Sequence, residues 1–264
     1  VNAVFGIDFS GAQLAGRKIW LAQLRPAPEG AALVMLAQAS ALWPDAAARD
    51  AVLPLVRSFI AAQRGALFGL DFPISLAASM IPYPDWDTFA SRFSADYPDA
   101  DSLYRAGYDS SHPRRQTDYE SRTPFAPTNL RLFRQTYYGI RELLAPLAAA
   151  QAAAVLPCQP DPADDRPRLL EICPASFLKA RRLYFRYKGA STRARESRAA
   201  ILTALEWMGL TGAAAFPALL DDAQGDGLDS LLAAFGALRA WRHEWPLAAD
   251  GPLRLEGAVY GWRA

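Results

Sequence analysis

The chain has 264 residues, 52% of them hydrophobic and 21% charged, with 28 Lys and Arg against 27 Asp and Glu. That length suits one large domain or two small ones with a substantial core, and the composition is that of an ordinary soluble globular protein. A formal charge of +1 leaves nucleic acid binding to local clustering, Cys158 and Cys173 stand in no CxxC spacing and so provide neither zinc site nor disulfide framework, and two histidines, His112 and His243, exclude a zinc site of several His.

The chain opens on Ala3-Val4-Phe5-Gly6-Ile7-Asp8-Phe9-Ser10-Gly11. Strand formers reach an acid, and a Gly-containing turn follows at once. Lys18–Leu24 and Ala32–Ala39 read as second and third strands around a turn at Arg25–Gly30, and their short links predict an antiparallel meander. A helix opening at Pro44-Asp45 then carries Val52, Leu55, Val56, Phe59 and Ile60 at helical spacing. The fourth strand, Ala66-Leu67-Phe68-Gly69-Leu70-Asp71-Phe72-Pro73, repeats the ending of the first. A helix between strands three and four lets the fourth lie parallel to the first, with Asp8 and Asp71 at the same end of neighbouring strands. Alone, each Asp reads as the cap of a turn or helix. As a matched pair they read as a site, because two carboxylates that close repel unless a cation lies between them or one takes a proton. Oxygen-rich sites of that kind suit Mg²⁺ or Mn²⁺.

Residues 74–165 differ in texture, broken by Pro82, Pro84, Pro98 and Pro113 and rich in Tyr, Asp and Arg. We expect an insertion on a single domain, facing the substrate as a lid, with a helical stretch over Asn129–Ala153 and a loop over Pro157–Pro167. Arg168–Cys173 reads as a fifth strand. Its Glu171 lies in an apolar run and must be paired, metal-bound or protonated; an Arg partner and a metal explain it equally well. A helix from about Arg193 to Met208 follows. A last helix opens at Asp226-Gly227-Leu228-Asp229, whose two acids share one face and equally suit the helix dipole. Asp221 and Asp222 read as loop residues, and Glu256–Trp262 as a closing strand.

The β-β-β-α-β opening, with acids ending strands one and four and an Asp-x-x-Asp on a late helix, resembles the ribonuclease H-like superfamily, and in acid spacing its Holliday-junction-resolvase branch. Six strings resemble a family called domain of unknown function 429, described as predicted nucleases of that fold: Gly6–Gly11, Gly69–Pro73, Arg115–Asp118, Leu170–Ala175, Asp226–Ala233 and Glu256–Trp262. The resemblance implies an α/β fold with a mixed sheet. It also implies Asp8, Asp71 and Asp229 as metal-binding, catalytic acids and Glu171 and Asp226 as supporting or alternative ligands. One departure is Gly227, which weakens the helix start beside Asp226. The expected activity is a divalent-metal-dependent nuclease or phosphodiesterase using Mg²⁺ or Mn²⁺, with DNA or RNA as partner.

Contacts to nucleic acid are expected from Ser10, from Arg115 and Asp118 reaching over the site, and from Lys179, Arg181 and Arg182. The last three open a string in which cations alternate with aromatics up to Lys188. Cations hold phosphates and aromatics stack on bases; a solvated helix face with inward aromatics explains the same string. There is no G-x-S-x-G elbow, P-loop or dinucleotide fingerprint. Two rivals stay open: a nucleotide- or nucleic-acid-binding protein without catalysis, and an ATP-dependent phosphotransferase of the actin or sugar-kinase type, for whose two domains this chain looks short. With no leader visible and the weakly polar stretch Leu143–Leu156 too short to span a bilayer, we expect a cytoplasmic protein in a reducing compartment, with no membrane partner.

Overall fold

The computed structural model describes residues 1–245 and 251–263. Its centre is a mixed sheet in the order β5-β6-β4-β1-β2-β3-β7, with β8 also on β6. The strands are β1 (Val4–Asp8), β2 (Trp20–Ala27), β3 (Gly30–Gln38), β4 (Leu67–Asp71), β5 (Ala154–Leu156), β6 (Arg168–Ile172), β7 (Leu210–Thr211) and β8 (Val259–Tyr260). β1, β2 and β3 form the expected antiparallel meander. β4 lies parallel to β1 in a register that sets Gly6 opposite Gly69 and Asp8 opposite Asp71. β6 runs parallel to β4 on its far side.

Several element boundaries differ from expectation. Pro26 and Ala27 stay in β2, paired with Ala31 and Gly30, so the turn is tighter than Arg25–Gly30. The helix after β3 spans Arg49–Ala62, and a separate short helix, Ala39–Leu42, precedes it. Pro44 divides the two, because a proline drives the preceding residue out of the helical region, and Trp43 has ψ 79°. β5 emerges just after the stretch expected to be helical.

Alternation along β1 and β4 divides the molecule into two cores. Phe5, Ile7, Phe68 and Leu70 face Val52, Val56 and Ile60 of the helix Arg49–Ala62. The insertion packs on that same face. Trp86, Phe89 and Phe93 of the helix Trp86–Asp96, and Tyr137, Ile140 and Leu144 further on, join this core. Most of the insertion is therefore a layer packed on the sheet, where its charged and aromatic content had suggested a lid facing the substrate. Its helices are short but amphipathic, and their apolar faces find cover on the sheet.

The opposite face carries the helix Asp226–His243, buried on nearly all sides from Gly227 to Leu238. Two glycines permit that approach. A Cβ on Gly6 would lie 1.9 Å from the carbonyl oxygen of Ser230, and one on Gly69 would lie 2.1 Å from that of Ala233. The glycine of each Gly-x-Asp ending thus lets a helix backbone rest directly on the sheet. The acid two residues on points to the same side.

Candidate metal centre

Asp8 and Asp71 end adjacent parallel strands in register, and Asp229 stands one turn into the helix seated on the two glycines. One carboxylate oxygen from each lies within 4.8 Å of the others. Asp8 is 8% exposed and Asp229 3%. Burial, then the neighbouring carboxylates of Asp71 and Asp229, raises Asp8 well above the ordinary carboxylate range. Burial, then Asp229, does the same to Asp71. Asp229 is raised by burial and held down by Lys188 and Tyr187. Three acids that resist ionising together, with only oxygen donors, can hold a divalent cation. An oxygen-only donor set suits a hard divalent cation.

Asp229 has two partners besides. The Tyr187 hydroxyl donates to its Oδ1 at 2.6 Å, and the Lys188 Nζ lies 2.5 Å from its Oδ2. Burial opposes the charge on Lys188, but Asp229 and Asp8 hold its amine above its ordinary value. Asp226, the member expected to be supporting, sits further out. It is 3.8 Å from Lys188 Nζ and lines the mouth of the site. At the helix start, Asp222 caps Gly227 N–H at 3.1 Å, which compensates the weak glycine start.

Glu171 is not in this cluster. Arg115 takes both of its oxygens, at 2.5 and 2.7 Å, and Ile74 N–H donates to Oε2 at 3.0 Å. Of the two explanations of the buried glutamate, the arginine partner is the one observed. Arg115 itself is 0% exposed and also holds Asp118 through Nη2 at 2.9 Å and Nε at 3.2 Å. Arg115 and Asp118 therefore do not reach over the site to a substrate. They tie the insertion to β6 and, through Glu171 and Ile74, fix the loop that follows Asp71.

The expected cation row is also redistributed, because the helix Pro174–Ala180 ends inside it. Lys179 donates to the carbonyl of Arg122 at 2.8 Å. Arg181 lies 3.8 Å over the Phe177 ring; burial, then Arg239, pushes its pKa down to about 10. Arg182 has a left-handed backbone, φ 58°. None of the three lines the acidic cleft; Lys179 and Arg182 border a separate groove beside Trp262 and Arg263.

The cleft at the carboxylates holds about 520 Å³. Ser10 lines it as expected, and so do Lys18, Phe125, Arg131, Gln135 and the segment Tyr184–Lys188. Tyr187 and Lys188 belong to the quoted cation–aromatic string, so their types were visible but their contact with Asp229 was not. Arg131 and Gln135 come from the middle of the insertion, which also lines the cleft with Pro124, Phe125 and Leu132. A groove of similar size, lined by Ala145, Ala148, Gln151, Asp161 and Arg166, holds none of the expected site residues. Comparison of the chain with known protein families, characterised proteins and solved structures finds no match.

Proposed function

We propose that this protein is a divalent-metal-dependent nuclease or phosphodiesterase. The observation that carries the proposal is the convergence of Asp8, Asp71 and Asp229 from two in-register strands and a helix seated on their glycines. The strand order supports the same reading: a meander, then parallel strands on the other side of β1, with acids at the ends of β1 and β4. It agrees with the resemblance to the ribonuclease H-like superfamily.

Asp8, Asp71 and Asp229 would hold Mg²⁺ or Mn²⁺, with Asp226 at the mouth as a further acceptor. Ions held so activate water and stabilise a leaving oxygen. The chain's own cations, Lys18, Arg131 and Lys188, line the cleft and would hold the phosphate against the acids' repulsion. In the reaction, water oxygen bonds to phosphorus, the P–O ester bond breaks, and the departing oxygen takes a proton.

The test is a panel of single-stranded, double-stranded and branched DNA and RNA with each metal. Wild type should cleave at least one of these, and Asp8→Asn should lose that cleavage while still folding. Cleavage at equal rate in the variant would place the reaction elsewhere. No cleavage across the panel, with ATP bound, would favour the phosphotransferase rival.

A further inference from the structure

Residues 183–188 form neither helix nor strand, yet they are pinned. The buried Arg198 donates through Nη1 to the carbonyls of Tyr187 at 2.5 Å and Gly189 at 3.1 Å, and through Nε to that of Leu220 at 2.8 Å. Tyr187 and Lys188 are fastened to Asp229 at the other side. On this fixed strap Tyr184 is 50% exposed and Phe185 44%. The Lys179 amine lies 5.1 Å from the Tyr184 ring centroid, and Phe185 stands next to the pinned residues; rings on a segment anchored beside the carboxylates are suited to contact, since stacking there costs less further ordering.

The strap is also a divide between two hollows. Phe185, Arg186 and Lys188 line both the carboxylate cleft and a second groove of about 750 Å³, which continues to Ser191, Arg193 and Ser197. Among the described residues, the side chains of Arg186 and Arg193 make no ion pair or hydrogen bond. Two uncommitted guanidinium groups along a groove that leaves an acidic centre match a chain of phosphates. The exposed rings match bases whose faces are uncovered, which in a duplex they are not. The carboxylate cleft, lined also by Phe125 and Arg131, has the volume of a small-molecule pocket.

We propose that the strap is the track of a single-stranded nucleic acid, bases on Tyr184 and Phe185 and backbone on Arg186 and Arg193, leading from the carboxylates over the strap into the second groove. This rests on the nuclease reading and narrows its substrate.

The test is fluorescence anisotropy in EDTA, with a labelled single strand of about 15 nucleotides, the duplex of the same sequence and a mononucleotide competitor. The proteins are wild type, Phe185→Ala and the Arg186→Ala/Arg193→Ala double variant, each checked for an unchanged melt. The single strand should bind at least about tenfold tighter than the duplex. Phe185→Ala should weaken it roughly 5- to 150-fold, the effect of one lost stacked base. The double variant should lower the salt slope by about 1.4, two phosphate contacts' worth for a single strand. Duplex binding as tight as single-strand binding, or an unchanged Phe185→Ala, would overturn the track; if wild type still cleaves with metal, the nuclease reading stands without it. Displacement by the mononucleotide as effective as by the unlabelled single strand would also overturn it. No binding of any nucleic acid, together with no cleavage in the panel, would remove both.

Discussion

Asp8 sits among carboxylates that do not favour its charge, so neutralising it should stabilise the metal-free chain. Its folded pKa is raised above the unfolded one, chiefly by burial and then by Asp71 and Asp229. The folded state therefore binds more protons from the ordinary value of 3.8 upward, and stability falls as pH rises through that window. In EDTA, the wild-type melting temperature should drop from pH 4 towards neutrality more steeply than that of Asp8→Asn, and Mn²⁺ should restore the wild type only. A variant that melts lower than wild type at every pH would mean that Asp8 serves as a turn cap. Lys188 makes the complementary case. Its amine occupies Asp229, as a tethered cation would, so Lys188→Met should bind Mn²⁺ more tightly by calorimetry while losing about 1–2 kcal/mol of metal-free stability, between the values for exposed and buried pairs. Weaker Mn²⁺ binding in Lys188→Met would contradict this. The aspartates were legible because a strand ending is a local pattern. The fate of Glu171 was not. A buried glutamate looks the same in sequence whether its partner is a metal or an arginine, and Arg115 lies 56 positions away. The Lys188–Asp229 pair depends on where the helix Pro174–Ala180 stops, which residue types alone do not fix.

At the scale of elements, the contact that assembles the site is helix backbone on strand glycine. Gly6→Ala or Gly69→Ala must displace the helix Asp226–His243, since each new Cβ would meet main-chain oxygen at 1.9 or 2.1 Å. We expect a loss of about 1–3 kcal/mol from overpacking and, with it, weaker Mn²⁺ binding, read by denaturant melts and calorimetry. An unchanged metal affinity in either variant would show that Asp229 is placed by something other than this contact. Arg115→Met tests the other fixture. It would leave Glu171 and Asp118 buried without their cation, costing about 3–5 kcal/mol, and Glu171→Gln/Arg115→Met should recover part of that loss. The first four strands and the three long helices, Arg49–Ala62, Thr192–Trp207 and Asp226–His243, followed from apolar spacing and Gly, Pro and Asp punctuation. β8 falls inside the expected closing stretch Glu256–Trp262, whereas β5 and β7 owe their pairing to neighbours distant in sequence, and two or three residues carry too little periodicity to announce a strand.

Across the whole molecule, the sheet separates two cores, and the carboxylate cleft opens at the ends of its central strands, lined from both sides. The insertion and the helix Arg49–Ala62 fill the first core, while the helix Asp226–His243 and the strap crowd the ends of β1 and β4. Among the described residues no helix is long and apolar enough to cross a membrane. The matched strand endings and the apolar spacing anticipated the in-register acids and the late helix, but Arg115 and Asp118 were expected to reach a substrate, where the fold uses them to tie its layers together. That the insertion is a layer was hidden by its prolines, which mark breaks between helices but say nothing of where their apolar faces go. The central claim is that the three aspartates form a cation site. Crystals soaked in Mn²⁺ at neutral pH test it most directly. Anomalous scattering should place manganese against Asp8, Asp71 and Asp229, with the Lys188 amine moved off Asp229. Soaked crystals with no manganese there and Lys188 still seated on Asp229 would contradict the account.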